Sequence, residues 1–374
     1  MAVPLCLSRR ELLAAVAGIA ALAPLTGCTL SDPTIESPSA PARPAGGSAS
    51  PTATATNTGA TTPAAPRPAP TRDPVFTRAA AAEQGLAVLA AAIRDRKGVP
   101  ADERTFLRLV ERAHTDHARA LAGTDPASRP TADHEVPPTT ISIRGLSLAK
   151  ARKKLAAAEA KLSAGHRRRS VDASGATALL WGSLAVAAET YAAGAADDPP
   201  STVDLARHRP VSKVSDVRAV QELVRQQHAL VYGYQLALGR LPVVSRQHRQ
   251  ALAGLEDHRQ QRDDLIAWLS RRSHEVPAAA AAYVPSVVPT NTRTATRLIR
   301  RMETALLPYC GIWLAAAGSD SERERALKAL RTTARTAADW GAGVRAWPVS
   351  RRSRARPGGP PPTRRPSGLS SAGL

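Results

Sequence analysis

Glu83, Glu111, His114, Glu159 and Glu189 are the residues whose types and spacing suit a metal ion, because they place one acid on each of four successive helical stretches. Carboxylate-bridged dinuclear centres in helical bundles take a Glu from each of two helices and a Glu-x-x-His pair from each of the other two. Positions i and i+3 share a helical face, so a carboxylate and an imidazole at that spacing can reach one ion. Glu111 and His114 have it. The fourth stretch carries Ala192 where the second His is required. Asp116 and His117 stand on the second stretch and do not replace it. Ala-rich helices with scattered Glu produce this pattern by composition alone. Ordinary surface or half-buried acids and no cofactor are therefore the favoured reading, with an iron or manganese centre as the alternative.

A second group lies downstream. Gln227 sits in an apolar seam, beside His228; His258, Arg262 and Asp263 follow on the next stretch, and Glu303 lies next to Met302 on a third. An Arg among inward groups neutralises carboxylates instead of leaving them for a cation. These six residues are expected to form a buried polar network that satisfies itself and fixes helix register without turnover. The chain has no glycine-rich phosphate loop, nucleophile elbow, paired-cysteine zinc motif or His-Glu-x-x-His helix. That weighs against most enzyme classes.

The elements that must position these residues are helical. Leu107, Val110, His114, His117 and Leu121 follow three-four spacing, as do Val217, Val220, Val224, Gln227, Val231, Tyr234 and Leu238. Aromatic residues make up 3% of the chain, so its core must be built from Ala, Leu and Val, whose small side chains suit closely packed helices. The expectation is an all-α chain: a helical bundle over 74–196, a linker over 197–215 and a second bundle over 216–348. No close sequence repeat relates the two. Pro308 is expected to kink the third helix of the second bundle or start a new one.

Both ends read differently. Residues 1–27 have a basic start at Arg9-Arg10, an apolar run over 12–25 and small residues before Cys28. The run is shorter than the roughly 20 apolar residues of a bilayer span. It reads as an export signal. Its Leu25-Thr26-Gly27-Cys28 ending resembles the lipobox of bacterial lipoproteins, which implies lipidation of Cys28 and attachment to the outer face of the cytoplasmic membrane. The paired arginines resemble a twin-arginine signal. Residues 28–73, rich in Pro, Ala, Thr and Ser, are expected to be a disordered tether, and 349–374 a disordered tail with six arginines over 351–374. Removing 1–27 takes the net charge from +20 to +19. On an exported protein that charge favours anionic lipid or cell-wall polymer as partners and disfavours nucleic acid.

The downstream motifs carry a further resemblance. Gln226-Gln227-His228-Ala229-Leu230-Val231-Tyr232-Gly233-Tyr234, then His258-Arg259-x-x-Arg262-Asp263-x-Leu265, then Glu303 and Tyr309, resemble the ferritin-like domain of actinobacterial lipoproteins over about 215–348. The first bundle resembles the degenerate ferritin-like partner found upstream in such proteins. The resemblance implies two tandem ferritin-like four-helix bundles and no established activity. In that family the first motif usually reads Glu-His, so Gln227 removes an acid. With the anchor and tether, the expected role is non-catalytic, in binding or envelope organisation; the alternative is a di-iron or di-manganese redox protein using the first bundle.

Overall fold

The computed structural model describes residues 28–29, 73–123, 140–196, 203–204 and 214–349. The signal, most of the tether and linker, and the Arg-rich tail lie outside the described residues. Among those described, eight helices form two four-helix bundles. The first contains α1 (Pro74–Arg94), α2 (Ala101–Ala122), α3 (Leu148–Asp172) and α4 (Gly175–Ala196). The second contains α5 (Asp216–Leu238), α6 (Arg246–Ser270), α7 (Thr292–Ala316) and α8 (Asp320–Asp339). Two-residue strands complete the order: β1 (Cys28–Thr29) pairs in parallel with β3 (Tyr283–Val284), and β2 (Val203–Asp204) with β4 (Val344–Arg345). No described helix is long and apolar enough to cross a membrane.

Helix starts follow from local chemistry. Ser147, Ser215, Ser245 and Ser319 each accept a backbone N–H of the first turn, and Asn291 forms a reciprocal capping box with Thr294. Each bundle is built from two hairpins, α1–α2 with α3–α4 and α5–α6 with α7–α8, joined through α1 against α3 and α5 against α7. Pro308 neither ends nor restarts α7, which runs from Thr292 to Ala316. The apolar face of that helix packs on α4, α5 and α8, and this tertiary burial outweighs the one hydrogen bond the proline removes.

The helices reveal a repeat that the sequence comparison above does not detect. α3 and α7 are both 25 residues long, and every position of α7 lies 144 after its counterpart in α3. The other helices keep this register to within two residues at their starts. Most of the shared residues face inward, among them Leu86 and Leu230, His114 and His258, Leu121 and Leu265, Ala151 and Ala295, and Glu159 and Glu303, all buried. Outward positions differ freely, so the likeness is thin along the chain and clear only on the buried faces.

The bundles share one interface. Leu179 and Val186 of α4 belong to the apolar core of the second bundle. Gly182 lets α4 close on α7 and α8: a Cβ there would lie 2.4 Å from Leu314 Cδ2. Arg331 of α8 holds Glu189 of α4 through two bonds of 2.6 and 2.9 Å. Residues 344–348, assigned from sequence to the end of the second bundle, sit instead on the first, where Val344, Ala346 and Trp347 join its core. The indole of Trp347 donates to Asp116 at 2.7 Å, which draws this strap across α2.

Candidate metal centre and its counterpart

Glu83 of α1, His114 and His117 of α2, and Glu159 and His166 of α3 meet inside the first bundle, each no more than 1% exposed. The three-residue spacing of His114 and His117 puts both rings on the inward face of α2, and the seven-residue spacing of Glu159 and His166 does the same two turns apart on α3. His114 stands between the carboxylates, with Nδ1 2.5 Å from Glu83 Oε2 and Nε2 2.7 Å from Glu159 Oε1. His117 Nδ1 lies 3.2 Å from the same Glu83 oxygen, while its Nε2 donates to the Ala346 carbonyl at 2.8 Å. His166 Nε2 meets the other Glu83 oxygen at 2.9 Å.

The hydrogen inventory sharpens this geometry. A carbonyl only accepts, so His117 carries its hydrogen on Nε2, and Nδ1 is the atom turned to Glu83. His114 meets an oxygen at each nitrogen. Two ring nitrogens thus converge on one carboxylate oxygen, which requires positive charge between them in the form of protons or a cation. Glu83, His114 and His117 offer ligand atoms within 4.8 Å of one another. Glu159 Oε2 and the Tyr191 hydroxyl of α4 are buried nearby without a hydrogen-bond partner among the described residues. The Tyr191 ring packs edge-on to His114 at 5.3 Å.

The electrostatics are those of a tightly coupled buried cluster. Burial would raise the Glu83 carboxyl, but the charges and hydrogen bonds of His117 and His114 outweigh it and hold the group well below the usual carboxylate range. Burial works against the His114 imidazolium, yet Glu159 and Glu83 push its pKa up to about 10. Burial raises Glu159 and lowers His166. The Tyr191 hydroxyl is driven well above its ordinary range by burial and by Glu159 and Glu83.

Of the residues proposed from sequence as ligands, Glu83, His114 and Glu159 come together and two do not. Glu111 turns to the surface and pairs with Arg94. Glu189 pairs with Arg331 of the other bundle. Only two carboxylates therefore converge, against the four that a dinuclear carboxylate centre takes. His166 and Tyr191 were not anticipated. The seven-residue spacing from Glu159 to His166 was the signal available for the first; nothing local distinguishes Tyr191 from a core aromatic.

The second bundle repeats the geometry with other chemistry. His258 Nδ1 lies 2.8 Å from Gln227 Oε1, and Nε2 lies 2.7 Å from Glu303 Oε1. The sequence separations are 31 and 45 residues, identical to those linking His114 to Glu83 and Glu159. Gln261 occupies the register position of His117 and accepts from Gln227 Nε2 at 2.7 Å. Cys310 occupies that of His166. Tyr234 donates to Glu303 Oε1 at 2.5 Å. Three expected members of this network lie outside it. Arg262 and Asp263 pair with each other at the surface, 2.8 Å apart, because their positions on α6 face away from the seam. His228 is half-buried; burial lowers its pKa, opposed by the Pro277 backbone.

The family comparison falls on this second half. Residues 219–360 match the family described as "Domain of unknown function (DUF4439)". The matched range takes in the downstream bundle from Ala219 of α5 through α8. A crystal structure of a conserved hypothetical protein from Mycobacterium tuberculosis is similar at 30% identity, covering 33% of this chain and 93% of that one, with a TM-score of 0.32. No curated protein matches.

Proposed function

We propose that this chain is an exported, lipid-anchored protein of two ferritin-like bundles, and that its first bundle holds a single divalent transition-metal ion without catalysing a reaction. The observation that carries the metal reading is the paired approach of His114 Nδ1 and His117 Nδ1 to Glu83 Oε2. Their distal nitrogens are held by Glu159 Oε1 and the Ala346 carbonyl. Histidines that bind metal almost always give the second nitrogen to a carboxylate or carbonyl, which fixes tautomer and ring plane. Glu83, His114 and His117 would be the ligands, with His166 holding the second Glu83 oxygen; two imidazoles and a carboxylate suit zinc or iron. Burial on all sides favours a closed, structural or storage site over one with an open position for substrate.

Metal analysis of the mature chain, purified without chelator, tests this reading. The expected result is one equivalent of metal, lost in Glu83→Ala and His117→Ala and kept in Glu111→Ala. Two equivalents of iron or manganese that disappear on Glu111→Ala would favour the dinuclear redox reading instead. Metal-free protein with native stability would leave only a protonated polar core. The anchor is tested by incorporation of labelled fatty acid, which Cys28→Ala should abolish.

A further inference from the structure

We infer that the second bundle is a receptor for a small zwitterionic amphiphile, bound in the cleft between α6 and α8. A cavity of about 520 Å³ opens there, within the range of pockets that enclose small organic ligands. It reaches Glu303 and His258 at its inner end. Glu303 is 0% exposed, and its Oε2 has no hydrogen-bond partner among the described residues, while Oε1 is fixed by Tyr234 and His258. A buried carboxylate oxygen left open beside a cavity calls for a donor from the occupant.

Trp268 and Trp313 supply apolar wall. Trp268 is held in place by its N–H bond to Glu322, 3.0 Å, and by Arg272 stacked 4.1 Å from its ring centre. The rim is divided by sign. Asp257 and Asp264 project from α6; Arg325, Lys328 and Arg335 project from α8. All five are exposed, and no salt bridge joins the two sides among the described residues. A ligand carrying an ammonium and an anionic group on an apolar body satisfies all three features: the ammonium toward Glu303 and the α6 acids, the anion toward the α8 bases, the apolar body against the indoles.

The repeat shows that this cleft is built rather than left over. At the matching positions of the first bundle, α4 has Trp181, Leu184 and Tyr191 where α8 has Arg325, Lys328 and Arg335. In the same register α2 has Ala113 and Ala120 where α6 has Asp257 and Asp264. Those five residues of the first bundle are all buried, at most 2% exposed. The same backbone is thus filled with apolar side chains in one half and lined with opposed charges in the other.

Calorimetric titration of the full mature chain tests the proposal with two probes of this chemistry. One is lauroyl lysophosphatidylethanolamine below its micelle concentration; the other is free phenylalanine. Saturable one-to-one binding of either supports the inference, the first assigning the ligand to lipid headgroups and the second to free amino acids. Glu303→Gln should weaken binding about tenfold or more. Because Glu303 also anchors Tyr234 and His258, the surface pair Lys328→Glu with Arg335→Glu provides an independent variant that leaves the core intact, and it should weaken binding to a similar degree. Failure of both probes to bind overturns the proposal. So does binding that is indifferent to both variants.

Discussion

The first bundle surrounds its polar centre with Trp181, Leu184 and Tyr191 and covers it with Ala346 and Trp347; the second leaves the corresponding centre at the end of an open cleft. Both carry an imidazole clasped by residues 31 positions before and 45 after it. What differs is the number of groups that can bear charge. Glu83, His117 and His166 in one become Gln227, Gln261 and Cys310 in the other. The lesson is that a helical scaffold fixes where polar groups meet, while a handful of inward side chains decides whether the meeting point suits a cation or an organic molecule. Position and chemistry are separable here because every substitution lies within an unaltered register.

Breaking the shared clasp on each side should give the largest and most unequal effects. Glu83→Ala strips three imidazoles of their common acceptor and should cost about 3–5 kcal/mol, the range for breaking a buried charged pair. Gln227→Ala removes neutral hydrogen bonds and should cost about 1–3 kcal/mol. Denaturant midpoints of the two variants check the ordering, and equal losses would contradict it. The converse change sharpens the comparison: Gln227→Glu combined with Gln261→His reproduces around His258 the triad of Glu83, His114 and His117 and should add metal-binding capacity, read by elemental analysis.

Trp347→Ala should cost about 3 kcal/mol by leaving a cavity beside His117, near the lower end for large aromatic truncations. The ring packs 4.8 Å from that imidazole, so hydrogen exchange should rise in α2 and leave α6 unchanged. Gly182→Leu should cost about 1–3 kcal/mol by overpacking the seam between bundles. Its signature is a second unfolding transition as the halves uncouple. The smallest effect is chemical: burial pushes the Cys310 thiol up to about 12. In a chain carrying Cys6→Ser and Cys28→Ser, alkylation at pH 8 should therefore proceed only at the rate of unfolding, a test of whether the position matching His166 is as closed as its partner.

Much of the architecture was legible along the chain. The three-four spacing of Val220, Val224, Gln227 and Val231 located a helix and the polar residue in its seam, and Leu107, Val110, His114 and His117 did the same upstream. Periodicity reports which face a residue occupies, so Glu83, His114 and Glu159 were readable as neighbours. It does not report which long acidic side chain turns outward at the edge of that face. Glu111 and Glu189 were therefore grouped with the inward acids, although Arg94 and Arg331, from other helices, draw them away. Arg262 and Asp263 misled in the same way. The repeat is faint along the chain because an Ala-rich sequence offers few identities outside the buried faces. The role of residues 344–347 was unreadable in principle, since nothing local indicates that a segment following one bundle will lie against the other.

That last segment also orders events in the life of the molecule. His117 receives its backbone partner from Ala346, 229 residues further on. A nascent chain halted after α8 would possess every acid and imidazole of the upstream cluster, yet lack the roof over them. Maturation of the N-terminal half must then wait for Ala346 to emerge, so products truncated before it should carry an exposed, hydrated cluster open to scavenging chelators.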